Sequence, residues 1–312
     1  MKNPAPPGTA PAPADASRLP RPHTGKDSQH ILVSLLGDYW YARSEPLPSA
    51  ALVSLLAEFG ANEMASRQAM RRLTAAGLLT QSKQGRTTFY GIPSPIVQDQ
   101  LQRLDRAIKF GADFTDWDGQ WTVVSYSIPE TERDTRRHLR NGLKALHFGV
   151  LQDGMWISPR NLEAEALALL DELHVGRGHV MRARWRGRLE TPDALAQAFD
   201  LESLAAAYED FIARHQETLR QVTTAAVEPS QALIRRTMLT SEWLAFRSID
   251  PELPAELLPP NWPRPRARTL FMAIYDALAP NAVLRFRQII AGHDEQLAQL
   301  AQPHSPWGGT AI

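Results

Sequence analysis

Residues 62–92, NEMASRQAMRRLTAAGLLTQSKQGRTTFYGI, decide how this chain is read. Asn62 is a favourable helix N-cap, because its short side chain can accept from a first-turn amide. Ser66, Ala69, Met70 and Leu73 recur at helical spacing and make a core face. Arg67, Gln68 and Arg71 then point the other way, with Arg72 on the flank. Gly77 stands where a helix ends. Leu78 to Ser82 and Thr87 to Ile92 are strand-like, with Lys83-Gln84-Gly85-Arg86 turning between them. From Met64 to Tyr90 there are five basic residues and no acidic one. A small-faced helix followed by a basic hairpin is the pattern of a winged helix-turn-helix, whose helix enters the DNA major groove while the wing tip meets the backbone. A winged helix that binds only protein has the same order of elements, and a positive face is commonly just solvated, so this stripe suggests DNA without specifying it.

Outward from this stretch, the length of 312 residues corresponds to about two or three domains. Hydrophobic residues at 43% suffice for packed cores. Cysteine is absent, which removes disulfides, thiolate metal sites and cysteine nucleophiles together. No run approaches the ~18 apolar residues of a membrane span, and the N-terminus lacks an apolar signal core. A cytoplasmic protein is expected. The formal net charge is zero, so attraction to DNA has to come from a local patch, which 62–92 supplies.

Residues 1–27 hold seven prolines among many alanines and read as a disordered tail. Ser28 to Arg43 is an apolar helix capped by Asp27 or Ser28, and Pro48 to Phe59 a second helix with proline near its first turn. With the helix at 62–76 and the hairpin they complete a winged domain at 28–94. Pro95 to Phe110 is amphipathic and forms a linker helix within 95–116. Trp121 to Ile128 is a buried strand, and a helix after Pro129 carries Arg133, Arg136, Arg137, Arg140 and Lys144. Strands at Phe148–Leu151 and Gly154–Ser158, a helix at Asn161–Leu173 and a strand at His179–Trp185 follow. This β-α-β-β-α-β order is the split, ferredoxin-like arrangement, placed at 117–190. From Thr191 the chain reads as all-helical through 300, with helices at Leu195–Phe199, Leu201–Gln221, Pro229–Ile249, Arg266–Leu278 and Val283–Leu300. The proline-rich Asp250–Pro265 is a packed strap, and Gln302–Ile312 a frayed end in a tail at 301–312. The fold class expected is α+β multidomain: winged helix-turn-helix, ferredoxin-like middle, all-helical C-terminus.

Several of these segments occur together in one known family. LVSLLGDYW, NEMASRQAMRRLTAAGLL, GRTTFYGI, WDGQWTVVSYSIPE, LKALHFGVLQDGMWISPR and DPELPAELLPPNWP resemble the PaaX family of bacterial transcriptional repressors over roughly residues 28–285. The resemblance implies an N-terminal winged helix on promoter DNA, a Cas2-like middle domain and a family-specific helical C-terminus. It implies a homodimer that represses an aromatic, phenylacetate-type catabolic operon and is released by an aryl-CoA effector such as phenylacetyl-CoA. Arg67 and Arg72 align with basic positions of the family's recognition helix, Arg71 with one that is often small and polar, and Gly85 and Arg86 with its wing.

The candidate DNA contacts are therefore Arg67, Gln68 and Arg71 at base edges, Lys83 and Arg86 at phosphates, and Arg72 at either or in an intradomain ion pair. An acyl-CoA needs cations for its phosphates and an apolar slot for its ring. Arg137, Arg140, Arg160 and Arg184 with Trp156 offer that chemistry, although Trp156 also reads as a core residue. No cofactor, metal site or enzymatic activity is expected. A Cas2-like metal-dependent nuclease is the alternative in that class, but the first strand ends Tyr126-Ser127-Ile128 without an acid, and Asp116 and Asp118 read as turn caps. The histidines show no HExxH spacing, and no G-x-S-x-G elbow appears. A protein-binding adaptor is the third reading.

Overall fold

The computed structural model describes residues 27–41, 43–93, 110–112, 117–184 and 192–304. All but the last residue of the helix expected at 95–110, together with Asp116 and Trp185, lies outside them. The first unit has helices α1 (Ser28–Tyr39), α2 (Ser49–Ala57) and α3 (Glu63–Ala75) and strands β1 (Leu47–Pro48), β2 (Thr80–Gln84) and β3 (Thr87–Gly91). Asp27 caps α1 by accepting from Gln29 N at 3.0 Å. Trp40 ends that helix several residues before Arg43, and its indole N–H donates to the Glu45 carbonyl at 2.9 Å. The strands form one antiparallel sheet in the order β1-β3-β2.

The middle unit has β4 (Trp121–Tyr126), α4 (Arg133–Ala145), β5 (Gly149–Gln152), β6 (Met155–Ser158), α5 (Glu163–Glu172) and β7 (Gly178–Ala183). They close into an antiparallel sheet ordered β5-β6-β4-β7, the split arrangement read from the sequence. Alternation along the strands gives the sheet two apolar faces. Val124, Tyr126 and Trp156 pack with Leu139 and Leu143 of α4 and Ala166 and Leu170 of α5. Trp121, Val123 and Ile157 face the other way and join the core of the C-terminal helices. A side chain at Gly149 would meet the Phe199 ring at 2.7 Å, so glycine permits that close approach.

The C-terminal unit has α6 (Pro192–Phe199), α7 (Leu201–Thr224), α8 (Pro229–Ala245), α9 (Arg264–Ala291) and α10 (Glu295–Leu300). Two expected helices, Arg266–Leu278 and Val283–Leu300, are instead α9 and a short α10: α9 continues through Pro280. Proline in a helix interior costs about 3 kcal/mol in isolation, but Ile274, Leu278, Ala282, Val283 and Phe286 on either side of it are all buried. The helix expected at Pro229–Ile249 ends at Ala245 and tightens into a 3₁₀ turn over Phe246–Ser248. The strap packs as expected, with Asp250, Leu253 and Leu257 buried. Trp243 stacks on Phe271 at 5.0 Å, and Tyr208 stacks on Phe246 at 4.2 Å.

The first and third units share one core. Ile31, Leu35 and Trp40 belong to the same buried cluster as Phe286, Ile289 and Ile290. Within it Arg236 of α8 is fully buried. Its Nε donates to the Tyr275 carbonyl at 3.0 Å and its Nη2 to the His304 carbonyl at 2.8 Å, while Nη1 lies 3.8 Å from Asp38 Oδ2 of α1. Gln302 and His304, expected in a frayed end, donate their amides to the Tyr39 and Asp38 carbonyls at 3.2 and 2.7 Å. These bonds satisfy carbonyls that the end of α1 would otherwise leave open.

Candidate nucleic-acid interface

Asn62 Oδ1 accepts from Ala65 N at 2.8 Å and starts α3. Ser66, Ala69, Met70 and Leu73 are buried, which turns Gln68 and Arg71 directly outward and leaves Arg67 and Arg72 on opposite flanks. All four of these polar side chains are exposed. Arg72 has no ion-pair partner among the described residues; the intradomain pair forms at Arg67 instead. Glu63, one residue before the acid-free run, lies 2.7 Å from Arg67. Both side chains are more than half exposed (51% and 66%), and an exposed i,i+4 pair contributes only about 0.3–0.5 kcal/mol. Arg67 is therefore oriented by Glu63 and easily exchanged onto a stronger anion. Leu78 N donates to the Leu73 carbonyl at 2.9 Å, and Gly77 adopts φ +73°, ending the helix as its glycine predicted.

The hairpin pairs Gln81 with Tyr90 and Lys83 with Thr88, leaving only Gly85 and Arg86 in the turn. Lys83 thus belongs to β2 rather than to the turn. Gly85 takes φ +61°, a conformation that permits a two-residue connection. Arg86 is exposed at the tip. Arg67, Arg71 and Lys83 line one cleft of about 230 Å³ with Ser49, Gln81, Thr88 and Tyr90. The cleft is too small for a nucleotide, but it gathers cations and hydroxyl or amide groups on one concave surface suited to a phosphate backbone. The sequence reading missed Ser49, Gln81, Thr88 and Tyr90. The period-two alternation of the strands marked the hairpin residues; Ser49 carried no comparable signal.

The interface is mounted on the C-terminal helices. Arg285 of α9 sits 2.7 Å from Glu58 at the end of α2, and Ser230 donates to the same carboxylate at 2.6 Å. The Arg285 hydrogen bond holds the Glu58 carboxyl below its ordinary range. Deeper in, burial pushes Tyr39 up to about 12 and raises Asp38 despite the nearby Arg236. Tyr275 donates its hydroxyl to Asp38 Oδ1 at 2.8 Å.

The contacts of the candidate effector residues sort them into two groups. Arg137 pairs with Asp134 at 3.0 Å on α4, and one turn on, the Arg140 guanidinium lies 6.0 Å from the centre of the Trp156 ring. Trp156 is buried in the core, as its alternative reading had it. Arg160 and Arg184 belong to the other group. The Arg160 carbonyl accepts from Thr122 Oγ1 at 2.6 Å, its guanidinium pairs with Glu252 at 3.1 Å, and Arg184 donates to the Asp118 carbonyl at 3.4 Å. Asp118 itself accepts from Gln120 N at 2.8 Å and pairs with Arg182 at 2.6 Å, which together hold its carboxyl low. Among the described residues there is no group of three or more His, Asp or Glu placed to hold a metal ion, and no helix long and apolar enough to cross a membrane.

Three sequence profiles match in succession: "PaaX-like protein" over residues 27–93, "PaaX protein central Cas2-like domain" over 115–196 and "PaaX-like protein C-terminal domain" over 199–288. The chain belongs to the PaaX family. It is 29% identical over 269 residues to the transcriptional repressor PaaX of Escherichia coli (strain K12), covering 81% of each protein. A solved structure of an uncharacterised protein, Rv0674, from Mycobacterium tuberculosis superposes with a TM-score of 0.53 at 24% identity, covering 83% of this chain and 98% of that one. That likeness establishes the shared fold. All six candidate DNA contacts lie within the N-terminal PaaX-like match.

Proposed function

We propose that this chain is a cytoplasmic transcriptional repressor, not an enzyme, whose residues 28–94 act as a winged helix-turn-helix on double-stranded promoter DNA. The observation that carries this reading is the convergence of Arg67, Arg71 and Lys83 on one cleft beside the outward Gln68. The similarity to the Escherichia coli repressor supports it. Arg67, Gln68 and Arg71 read base edges, each good bidentate pair discriminating by about 1–3 kcal/mol. Lys83 and Arg86 hold phosphates and supply salt-dependent affinity. Arg72, exposed on the far flank, meets the backbone. One helix and one wing cover a half-site, so a homodimer on a palindrome follows.

Repression comes from occupying the promoter of an aromatic catabolic operon. An effector releases the DNA only by binding the incompetent arrangement more tightly, with a coupling of roughly 1–3 kcal/mol. An aryl-CoA such as phenylacetyl-CoA is the effector proposed. Arg137 and Arg140 on α4, or Arg160 and Arg184 in the second group, are its candidate phosphate partners, while Trp156, the apolar candidate, stays in the core beneath Arg140. The test is a footprint on the DNA upstream of the chain's own gene and neighbouring operons, with and without phenylacetyl-CoA. A palindromic footprint lost with the ester but kept with free phenylacetate supports repressor and effector together. A footprint indifferent to the ester discards the effector, and no footprint at modest salt overturns the DNA reading.

A further inference from the structure

Met64 is 80% exposed, while the other large exposed apolar residues, Leu167, Met181, Ile249 and Leu284, lie between 44% and 56%. Scattered exposed hydrophobes are ordinary; the position of this one is not. Met64 is the second residue of α3, where the N-terminal turn of a groove-reading helix meets base edges. With Gln68 and Arg71 it forms an i, i+4, i+7 line opposite the buried Ser66, Ala69, Met70 and Leu73. It is the large apolar member of an outward face that Gln68 and the arginines make polar and cationic and that ends at Ala75. The major groove offers one apolar group to such a side chain, the C5-methyl of thymine.

We propose that Met64 is a specificity residue that seats against a thymine C5-methyl in each half-site. The inference rests on the DNA-binding reading above and deepens it. Just over one helical turn separates Met64 from Gln68, about 6 Å along the axis, so the two side chains address neighbouring base pairs. Gln68 pairs with an adenine and Met64 packs on a thymine, which makes this end of the half-site A·T-rich. The flexible thioether follows the methyl without demanding one rotamer.

The test uses the full-length protein and a duplex selected by it from a random-sequence library, then remade with deoxyuridine in place of each half-site thymine in turn. Deoxyuridine keeps the pairing and removes only the methyl. At one thymine per half-site, wild-type affinity is expected to fall about fourfold per methyl removed. Met64→Ala is expected to bind the thymine and deoxyuridine duplexes equally, and Met64→Leu to retain the preference. Since Met64 is exposed, both variants should fold, and their circular dichroism checks this. Equal deoxyuridine losses in wild type and Met64→Ala, or no loss at any thymine, overturn the assignment while leaving the DNA reader standing. Failure of the wild type to select any duplex overturns the reading on which it rests.

Discussion

Replacing Arg236 by methionine tests whether the first unit is clamped to the C-terminal helices through buried polar contacts. The guanidinium is fully buried, donates to the carbonyls of Tyr275 and His304 at 3.0 and 2.8 Å, faces Asp38 at 3.8 Å, and lies 3.6 Å from the centre of the Tyr275 ring. Methionine keeps most of the apolar stem. It removes both bonds to carbonyls, each worth roughly 1.5–3 kcal/mol when the donor is charged, and leaves Asp38 buried without its cation. Breaking a buried pair from one side typically costs about 3–5 kcal/mol, and that range is the loss expected here, a large part of the ~5–15 kcal/mol that stabilises a folded domain. Asp38→Asn should cost less, because burial already raises the Asp38 carboxyl and asparagine still offers an acceptor to Tyr275. The double variant should be more stable than the sum of the two losses indicates. Urea denaturation followed by tryptophan fluorescence reads all three, with Trp40 reporting the first unit and Trp243 the third. A loss below about 1 kcal/mol for Arg236→Met, or strict additivity of the pair, would refute the clamp.

The remaining predictions concern charge, pH and backbone. Lys83→Ala should weaken DNA binding evenly across sequences and lower the slope of log affinity against log salt by about 0.9 per half-site, measured by fluorescence anisotropy. Glu58→Ala should cost about 1 kcal/mol at neutral pH by removing acceptors from Arg285 and Ser230. Because Arg285 lowers the Glu58 pKa, that contribution is present above its ordinary 4.5 and disappears as pH falls through the folded value. Burial, with Arg160 nearby, lowers His147 to about 4, and burial together with Arg236 does the same to His304. The unfolded chain therefore takes up protons first, and stability should fall as pH drops from about 6.5 to about 4. His147→Asn, which tolerates the residue's φ of +62°, should flatten part of that slope in pH-dependent melts. Gly154→Ala should destabilise by about 1–3 kcal/mol, since φ is +75° and the new methyl would sit 2.7 Å from the Tyr126 carbonyl oxygen.

Much of the interface was legible because it is local. The Asn62 cap, the Ser66-Ala69-Met70-Leu73 face and Gly77 fix where α3 begins, which side it buries and where it stops, and each acts within one or two turns. The apolar stretch Trp121 to Ile128 likewise marked β4 as a buried strand. The Glu63–Arg67 pair was readable from its i,i+4 spacing, but it lay one residue outside the basic run. Lys83 moved from turn to strand because a glycine at φ +61° shortens the connection to two residues, a choice that register makes rather than composition.

What only the tertiary structure decided is long-range. Pro280 reads as a break, since local physics disfavours proline inside a helix. The buried residues around it keep α9 continuous. Asp38 and Arg236 are 198 positions apart in sequence, so no periodicity could join them. Their meeting joins the first and third units within one core. The sequence alone determined that the three helices and the hairpin of the first unit form and which face α3 buries, because those preferences are settled by near neighbours. Which units share a core was settled by burial of apolar surface and of one cation between distant segments, and that exists only once the chain has folded.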